Sequence, residues 1–311
     1  MTRQDLLDDF LRYAAGERRM SAKTVENYAR DLRQFERFVV GHEGGGDWSW
    51  SEVDRTTIRS FLGSMAARGL ARTTLRRRLA AVRSFYGFLR RTGRVEGDPS
   101  RSIRGPKLGR TLPEHLTVDQ ARSMLEQARV TAEESGSFLD LRRWALLETL
   151  YSCGLRVSEV HQLDTTHVAA DRIRALGKGG KERDVPLGAA AAAALAAYLR
   201  ARRKHAPDER AVFVSRKGNR LSIRQLQRDA TQALKIASDG ARVSTHSLRH
   251  TFATHLVDGG ADLVSVKAML GHASLSTTRV YTHTSVERLR KVHAQAHPRG
   301  GGEAEEDVDA G

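Results

Sequence analysis

Proline and glycine residues divide this chain of 311 residues into two parts. Three of its six prolines, Pro99, Pro106 and Pro113, lie within residues 93–113 together with four glycines. Such a segment interrupts helices and is typical of a connection between domains, and the length fits two domains of ordinary size. We therefore predict a first domain over residues 1–95, a linker over 96–113 and a second domain over 114–299. The glycine-flanked acidic stretch at 300–311 is predicted to be disordered.

Apolar periodicity predicts a mainly helical protein on both sides of this boundary. In the second part, residues 172–176 and 183–187 flank the glycine-rich segment GKGGKE and predict a β-hairpin, with residues 211–215 as a candidate third strand. Apolar residues at helical spacing predict helices elsewhere. They fall near residues 6–11, 21–41, 52–65 and 73–91 in the first part, and near 117–128, 139–149, 158–163, 189–200, 222–237, 247–258, 262–270, 276–281 and 286–296 in the second.

The charge balance is strongly positive. Lys and Arg number 52 against 37 Asp and Glu, which gives a net charge of +15 and a pI near 10.5. This excess favours a polyanionic partner. Arginine suits bidentate contacts with phosphate, although a GC-rich genome would also enrich a chain in arginine.

One predicted helix concentrates this charge. Nine arginines and no acidic residue lie between Arg68 and Arg94, and the arginines fall mostly off the apolar stripe formed by Leu75, Leu79, Val82, Tyr86 and Leu89. A solvated helix face is the simplest explanation of a charge run, but such faces usually mix both signs. A face of one sign suits the DNA backbone better. We predict DNA contacts by Arg72, Arg76, Arg77 and Arg83.

Other classes of protein are disfavoured by what the sequence lacks. A single cysteine, Cys153, excludes an internal disulfide or a cysteine-based zinc site, and it is interpreted as a small core residue. No stretch of about 18 apolar residues predicts a membrane span, and the first residues do not resemble a signal peptide. We expect a cytoplasmic protein without membrane contact.

Four segments of the second domain carry polar and cationic residues among apolar ones: 149–160, 177–183, 244–256 and 270–283. Arg156 lies among apolar neighbours and therefore needs a partner; an ion pair with Glu159, three residues on, would provide one. His246, Arg249 and His250 share one helix face. Clustered histidines also raise the possibility of a metal site, but the HExxH arrangement is absent, so no metal is predicted.

These segments together resemble the tyrosine recombinases, or phage integrase family. The resemblance rests on GLRVSE at 154–159, GKG around Lys178, HSLRH at 246–250, LGH at 270–272, and Tyr281 nine residues after His272. It spans about residues 5–299. The segments TLPEHLT and AHPR, at 296–299, are similar to the Xer group of chromosome-dimer resolvases. Gly300 replaces the usual alanine after HPR, and the acidic tail is additional.

The resemblance implies a C-shaped clamp around duplex DNA, with a SAM-like helical core-binding domain and a mainly helical catalytic domain that contains a small sheet. It also implies the chemistry. Arg156 and Arg249 would hold the scissile phosphate, because a guanidinium matches two phosphate oxygens. His272 would add a hydrogen bond, Lys178 would protonate the leaving 5′ oxygen, and His246 would receive the proton of the nucleophile Tyr281. Lys181 is expected to support DNA binding, although it competes with Lys178 as the acid. No cofactor is expected.

The expected partners are a dif-like DNA site, a second Xer-type recombinase in a heterotetramer, and a DNA translocase. The final helix, with Leu289 and Val292, is expected to pack on a neighbouring protomer. Two alternatives remain. One is an integrase of a phage or mobile element, which often carries an additional arm-binding domain before the first core-binding helix. The other is a DNA-binding protein that uses this fold without cleavage.

Overall fold

A computed structural model describes residues 2–42, 48–107, 115–177, 180–206, 209–237, 244–271 and 283–300. The chain forms two compact units, residues 1–110 and 111–311. Three predicted catalytic residues, Lys178, His272 and Tyr281, lie outside the described residues, as do the predicted helix at 276–281 and the acidic tail. Within the described ranges, no helix has both the length and the apolar character that crossing a bilayer requires.

The first unit consists of four helices around an aromatic core. They are α1 (Arg3–Ala15), α2 (Ala22–His42), α3 (Arg55–Ala67) and α4 (Arg72–Arg91). The apolar stripe predicted for α4 is buried, and aromatic residues of all four helices and of the α2–α3 connection pack together in the core. Val95 and Ile103 are buried in the same core. Part of the proline-rich segment therefore packs with the first unit.

The second unit is built around one buried helix. Its elements are α5 (Val118–Ser135), α6 (Phe138–Cys153), α7 (Val157–His161), a 3₁₀ turn (Thr165–His167), β1 (Arg172–Leu176), β2 (Glu182–Pro186), α8 (Ala189–His205), α9 (Ile223–Ala237), α10 (Thr245–Asp258), α11 (Leu263–Leu270) and α12 (His283–Ala296). α6 is buried from Trp144 to Cys153, with α5, α8, α9 and α10 packed around it. It has almost no polar face, which explains its central position.

The predicted hairpin is confirmed. β1 and β2 are antiparallel, with Ile173 opposite Val185 and Ala175 opposite Arg183. The candidate third strand at 211–215 is wrong. Ala211 and Val214 make only isolated bridges, to Asp164 and Arg220, because the chain turns back at Ser215, whose N–H bonds the carbonyl of Asn219 at 2.7 Å.

The end of the described chain packs on its own unit. Leu289 of α12 is buried against residues of α10 and α11, and Val292 packs beside it. Of the two residues expected to contact a neighbouring protomer, Leu289 is therefore covered within this chain, whereas Val292 is only partly buried. Beyond α12, Arg299 forms an ion pair with the completely buried Glu148 of α6, with 2.7 Å between Nη2 and Oε1.

The start of the second unit is fixed to α10. The N–H of Leu116 donates to Oγ1 of Thr251 at 3.1 Å, and Nε2 of His255 donates to the carbonyl of Leu116 at 2.9 Å. Leu116 is itself buried in the core. Both backbone polar groups of this residue are therefore held by side chains of a single helix.

Candidate active site

The first predicted site segment begins where α6 ends. Gly154 has a φ of +57°, the left-handed conformation that glycine adopts without strain. A Cβ at this position would lie less than 3 Å from three ring atoms of Phe252 on α10. The close approach of α10 and the sharp turn both require glycine, and Arg156, two residues on, is the N-cap of α7.

Glu159 is the centre of the site. Its carboxylate accepts hydrogen bonds from the backbone N–H of Arg156 at 2.8 Å and from Nη1 of Arg156 at 2.9 Å. The predicted Arg156–Glu159 ion pair is thus present, and the Arg156 side chain is still 35% exposed. Arg156 therefore has a buried partner and an accessible face at the same time, so the structural and functional interpretations of this residue are compatible.

α10 adds the second arginine. Nη1 of Arg249 donates to the carbonyl of Gly154 at 2.6 Å, and Nη2 donates to the carbonyl of Leu270. Nη1 also lies 3.7 Å from Oε2 of Glu159. Burial, together with the charge of Arg156, lowers the pKa of Arg249 to about 10, so the side chain stays charged at neutral pH. His246, one turn earlier on α10, is exposed.

A third arginine at the site was not predicted from the sequence. Arg183 of β2 makes two hydrogen bonds to the Glu159 carboxylate, from Nη1 to Oε1 at 3.0 Å and from Nη2 to Oε2 at 2.9 Å. Burial by itself raises the pKa of Glu159, but the hydrogen bonds and charge of Arg183 outweigh it and lower that pKa. The carboxylate is therefore ionised at neutral pH. The only sequence signal for Arg183 was its place in the conspicuously cationic segment 177–183.

The arrangement is suited to binding an anion. Three guanidinium groups surround one carboxylate, so Glu159, Arg156, Arg183 and Arg249 carry a net charge of +2. The low-dielectric surroundings strengthen such a field, and a guanidinium fork matches the oxygens of a phosphate. The structure thus brings together Arg156 and Arg249, the two predicted phosphate ligands.

Two other predicted features border this cluster. The N–H of Gly177 donates to the carbonyl of Lys181 at 2.8 Å, next to the ends of β1 and β2, and Lys181 is exposed. Cys153 is completely buried, as predicted, and burial raises the pKa of its thiol to about 12. Across the described ranges, no group of three or more His, Cys, Asp or Glu side chains is placed to hold a metal ion.

The four predicted DNA-contact arginines of α4 differ in their protein contacts. Arg76 is exposed. Arg72 and Arg83 are exposed as well, although Arg72 donates to the carbonyl of Lys107 at 3.2 Å and Arg83 donates to the carbonyls of Ser100 and Ile103. Arg77 is ion-paired with the buried Asp31 of α2. Arg77 is therefore the least available of the four for a phosphate, because its charge is already paired.

Comparison with known protein families gives two matches. The model described as "Phage integrase family" matches residues 114–288, and that described as "Phage integrase, N-terminal SAM-like domain" matches residues 7–93. Two curated relatives carry the name tyrosine recombinase XerC. The protein from Pelotomaculum thermopropionicum is 40% identical over 307 residues, covering 95% of this chain and 99% of the relative. The protein from Mycobacterium sp. (strain JLS) is 41% identical over 301 residues, with the same coverages.

Solved structures share the fold. A lambda integrase dimer bound to a COC′ core site has a TM-score of 0.66 and 18% identity, covering 90% of this chain and 100% of that chain. The XerH recombinase in a post-cleavage complex with a palindromic difH substrate has a TM-score of 0.65 and 24% identity, covering 93% of this chain and 83% of that one. At these identities the likeness establishes the fold alone.

Proposed function

This chain belongs to the phage integrase family, and we propose that it exchanges DNA strands at a dif-like site with Tyr281 as the nucleophile. It is an Xer-type tyrosine recombinase that cuts and rejoins duplex DNA. Curated relatives named XerC at about 40% identity over 95% of the chain favour this group over integrases of mobile elements.

The arginine cluster around Glu159 is the observation that supports the assignment most strongly. A phosphodiester carries one negative charge, and in-line attack on phosphorus adds charge to its non-bridging oxygens. Arg156 presents an accessible guanidinium there, while Arg249 stays charged although it is buried. Together with Arg183 they give the site an excess of positive charge before DNA arrives, so little reorganisation is needed during the reaction.

The proposed reaction proceeds in two balanced steps. Oη of Tyr281 forms a bond to phosphorus and gives its proton to His246, while the bond to the 5′ oxygen breaks and that oxygen takes a proton from Lys178. The product is a 3′-phosphotyrosyl link and a free 5′ hydroxyl. A 5′ hydroxyl from another strand then reverses the step and releases Tyr281. The energy of the phosphodiester is retained in the link, so rejoining needs no ATP.

A dif-like DNA site implies a role in the resolution of chromosome dimers. Resolution of chromosome dimers at cell division requires paired sites and four active subunits. We propose a heterotetramer with a second Xer-type recombinase, activated by a DNA translocase, in the cytoplasm where the chromosome lies. We propose that DNA phosphates are contacted by Arg72, Arg76, Arg77, Arg83 and Lys181, of which all but Arg77 are exposed.

The test is formation of a covalent adduct. The full chain is incubated with nicked DNA that carries a dif-like site, with and without a second recombinase, and SDS-resistant protein–DNA complexes are measured. The wild type should form the adduct and Tyr281→Phe should not. Tyr198→Phe is a matched control, because Tyr198 is a buried tyrosine of the same unit whose hydroxyl accepts a hydrogen bond from the backbone N–H of Val214 at 3.1 Å. An adduct in Tyr281→Phe would mean that another residue attacks.

A further inference from the structure

Arg183 connects three segments of the active site. Its side chain starts on β2, two residues after Lys181, and reaches Glu159 on α7 through two hydrogen bonds. Its Nε donates to the carbonyl of Met269 in the last turn of α11 at 2.8 Å. One guanidinium therefore links β2 to α7, whose N-cap is Arg156, and to the last turn of α11. Lys178 precedes β2 in the sequence, and His272 follows α11.

The contacts of Arg183 distinguish it from the two proposed phosphate ligands. Its side chain is 9% exposed, against 35% for Arg156 and 10% for Arg249, so burial separates it from Arg156 alone. Of these three side chains, that of Arg183 makes a hydrogen bond to each oxygen of Glu159. The guanidinium is occupied by protein acceptors, two carboxylate oxygens and one carbonyl. These acceptors take three of its five N–H groups, and the side chain is 9% exposed, so the contacts of Arg183 are directed mainly at protein groups.

The turn after α11 is shaped around the same side chain. Gly271 has a φ of +65°, and a Cβ there would lie 3.0–3.1 Å from Nη1, Cδ and Cζ of Arg183. The glycine of the LGH segment thus allows the backbone to pass directly over the guanidinium. His272 follows Gly271 in the sequence, so Arg183 lies against the residue that precedes it.

We propose that Arg183 is a positioning residue for DNA strand cleavage. It fixes both oxygens of Glu159, which in turn orients Arg156, and it holds the turn before His272. Two parallel hydrogen bonds to one carboxylate need the planar guanidinium of arginine, and the single ammonium of lysine cannot reproduce them. This proposal rests on the proposed function, because it assumes that Arg156 and His272 contact the scissile phosphate.

The experiment compares single-turnover cleavage of nicked DNA by the wild type, Arg183→Met and Arg183→Lys, with DNA affinity measured by gel shift at one salt concentration. A displacement of about 1 Å at a catalytic group lowers a rate about 100-fold. We expect cleavage by Arg183→Met to fall by about that factor, while the Kd for DNA changes less than about threefold. Arg183→Lys keeps the charge but should recover less than a tenth of the lost rate.

A substrate variant supplies a readout that a purely structural role would not move. A methylphosphonate at the scissile position is neutral and needs less stabilisation of negative charge than a phosphodiester. If Arg183 acts by orienting Arg156, the deficit of Arg183→Met should shrink at least about tenfold on this substrate. An unchanged deficit would refute the positioning role.

Arg142→Met is the matched control for folding. Arg142 is a buried arginine of the same unit, ion-paired with Asp229 at 2.8 Å, and it lies eleven residues before Cys153, about 16 Å along α6. It should lose stability but keep its cleavage rate per folded molecule. Equal loss of cleavage in both variants would overturn the proposal. If the wild type itself forms no adduct, the proposed function fails; if the wild type cleaves and Arg183→Met cleaves equally fast, only the positioning role fails.

Discussion

The ion pair between Arg299 and Glu148 should be the most sensitive contact at the end of the chain. Glu148 is completely buried, and the Arg299 side chain is 17% exposed. Arg299→Met keeps most of the side-chain length but removes the charge, which leaves a buried carboxylate without its cation. Breaking a buried pair in this way costs about 3–5 kcal/mol. We expect that loss in the free energy of unfolding at pH 8.

The stability lost in Arg299→Met should increase as the pH rises. Burial raises the pKa of Glu148, and the charge of Arg299 opposes that rise. Without Arg299 the pKa rises further, so the folded variant keeps a proton that the unfolded chain releases above about pH 4.5. Folded protein then binds more protons than unfolded protein, and stability falls as pH rises, by at most about 1.4 kcal/mol per pH unit. The free energy of unfolding of Arg299→Met should therefore lie closer to that of the wild type at pH 5 than at pH 8.

Urea unfolding of the full chain, combined with hydrogen exchange of the α6 amides, measures this effect. Glu148→Gln in both backgrounds completes a double-mutant cycle, for which we expect a coupling of about 2–3 kcal/mol. Arg129→Met is the control, because Arg129 pairs with Glu133 at 2.7 Å on an exposed face and should cost less than about 1 kcal/mol. The reasoning would be refuted if Arg299→Met lost no more unfolding free energy than Arg129→Met, or if it lost the same amount at pH 5 and pH 8.

Three further outcomes are expected. Burial lowers the pKa of His297 well below 6.5, so as the pH falls below about 6.5 the unfolded chain binds a proton at this residue that the folded chain does not. The free energy of unfolding should therefore fall below about pH 6.5. His297→Asn should make that free energy, measured in urea, depend less steeply on pH, and an unchanged dependence would contradict this. Gly154→Ala should cost clearly more in unfolding free energy than Gly136→Ala, because both have a φ of +57° but only Gly154 would meet Phe252; equal costs would show that the contact does not matter. Removing residues 301–311 deletes five acidic residues and should tighten non-specific DNA binding in gel shifts, most at low salt, while replacing the five acids with amides at constant length should act in the same direction.

The sequence predicted best where packing is amphipathic. α4 was predicted over residues 73–91 and extends over Arg72–Arg91, because its apolar stripe faces one core and its other face does not. α6 was predicted too short, over 139–149 against Phe138–Cys153. A helix that is buried on nearly all sides shows no periodicity at its ends, and its last residue is set by the left-handed turn at Gly154. α5 likewise continues to Ser135, where the left-handed Gly136 ends it.

The site was predictable only in part, for a related reason. Arg156 and Arg249 lie in the segments GLRVSE and HSLRH, whose residue order carries the resemblance to the family. Arg183 lies in a short strand, and the direction of its side chain depends on α7 and α11, which are distant in sequence. The failed third strand at 211–215 has the same origin: its residues are apolar enough for a strand, but their partners are isolated residues from separate loops.

The attachment of Leu116 gives the second unit a mechanical property. Both of its backbone polar groups are bonded to α10, between Thr251 and His255, and the same helix carries His246 and Arg249. A pull on the backbone at Leu116 would therefore be borne by the third turn of α10. It would act on the helix that holds one of the two proposed phosphate-binding arginines.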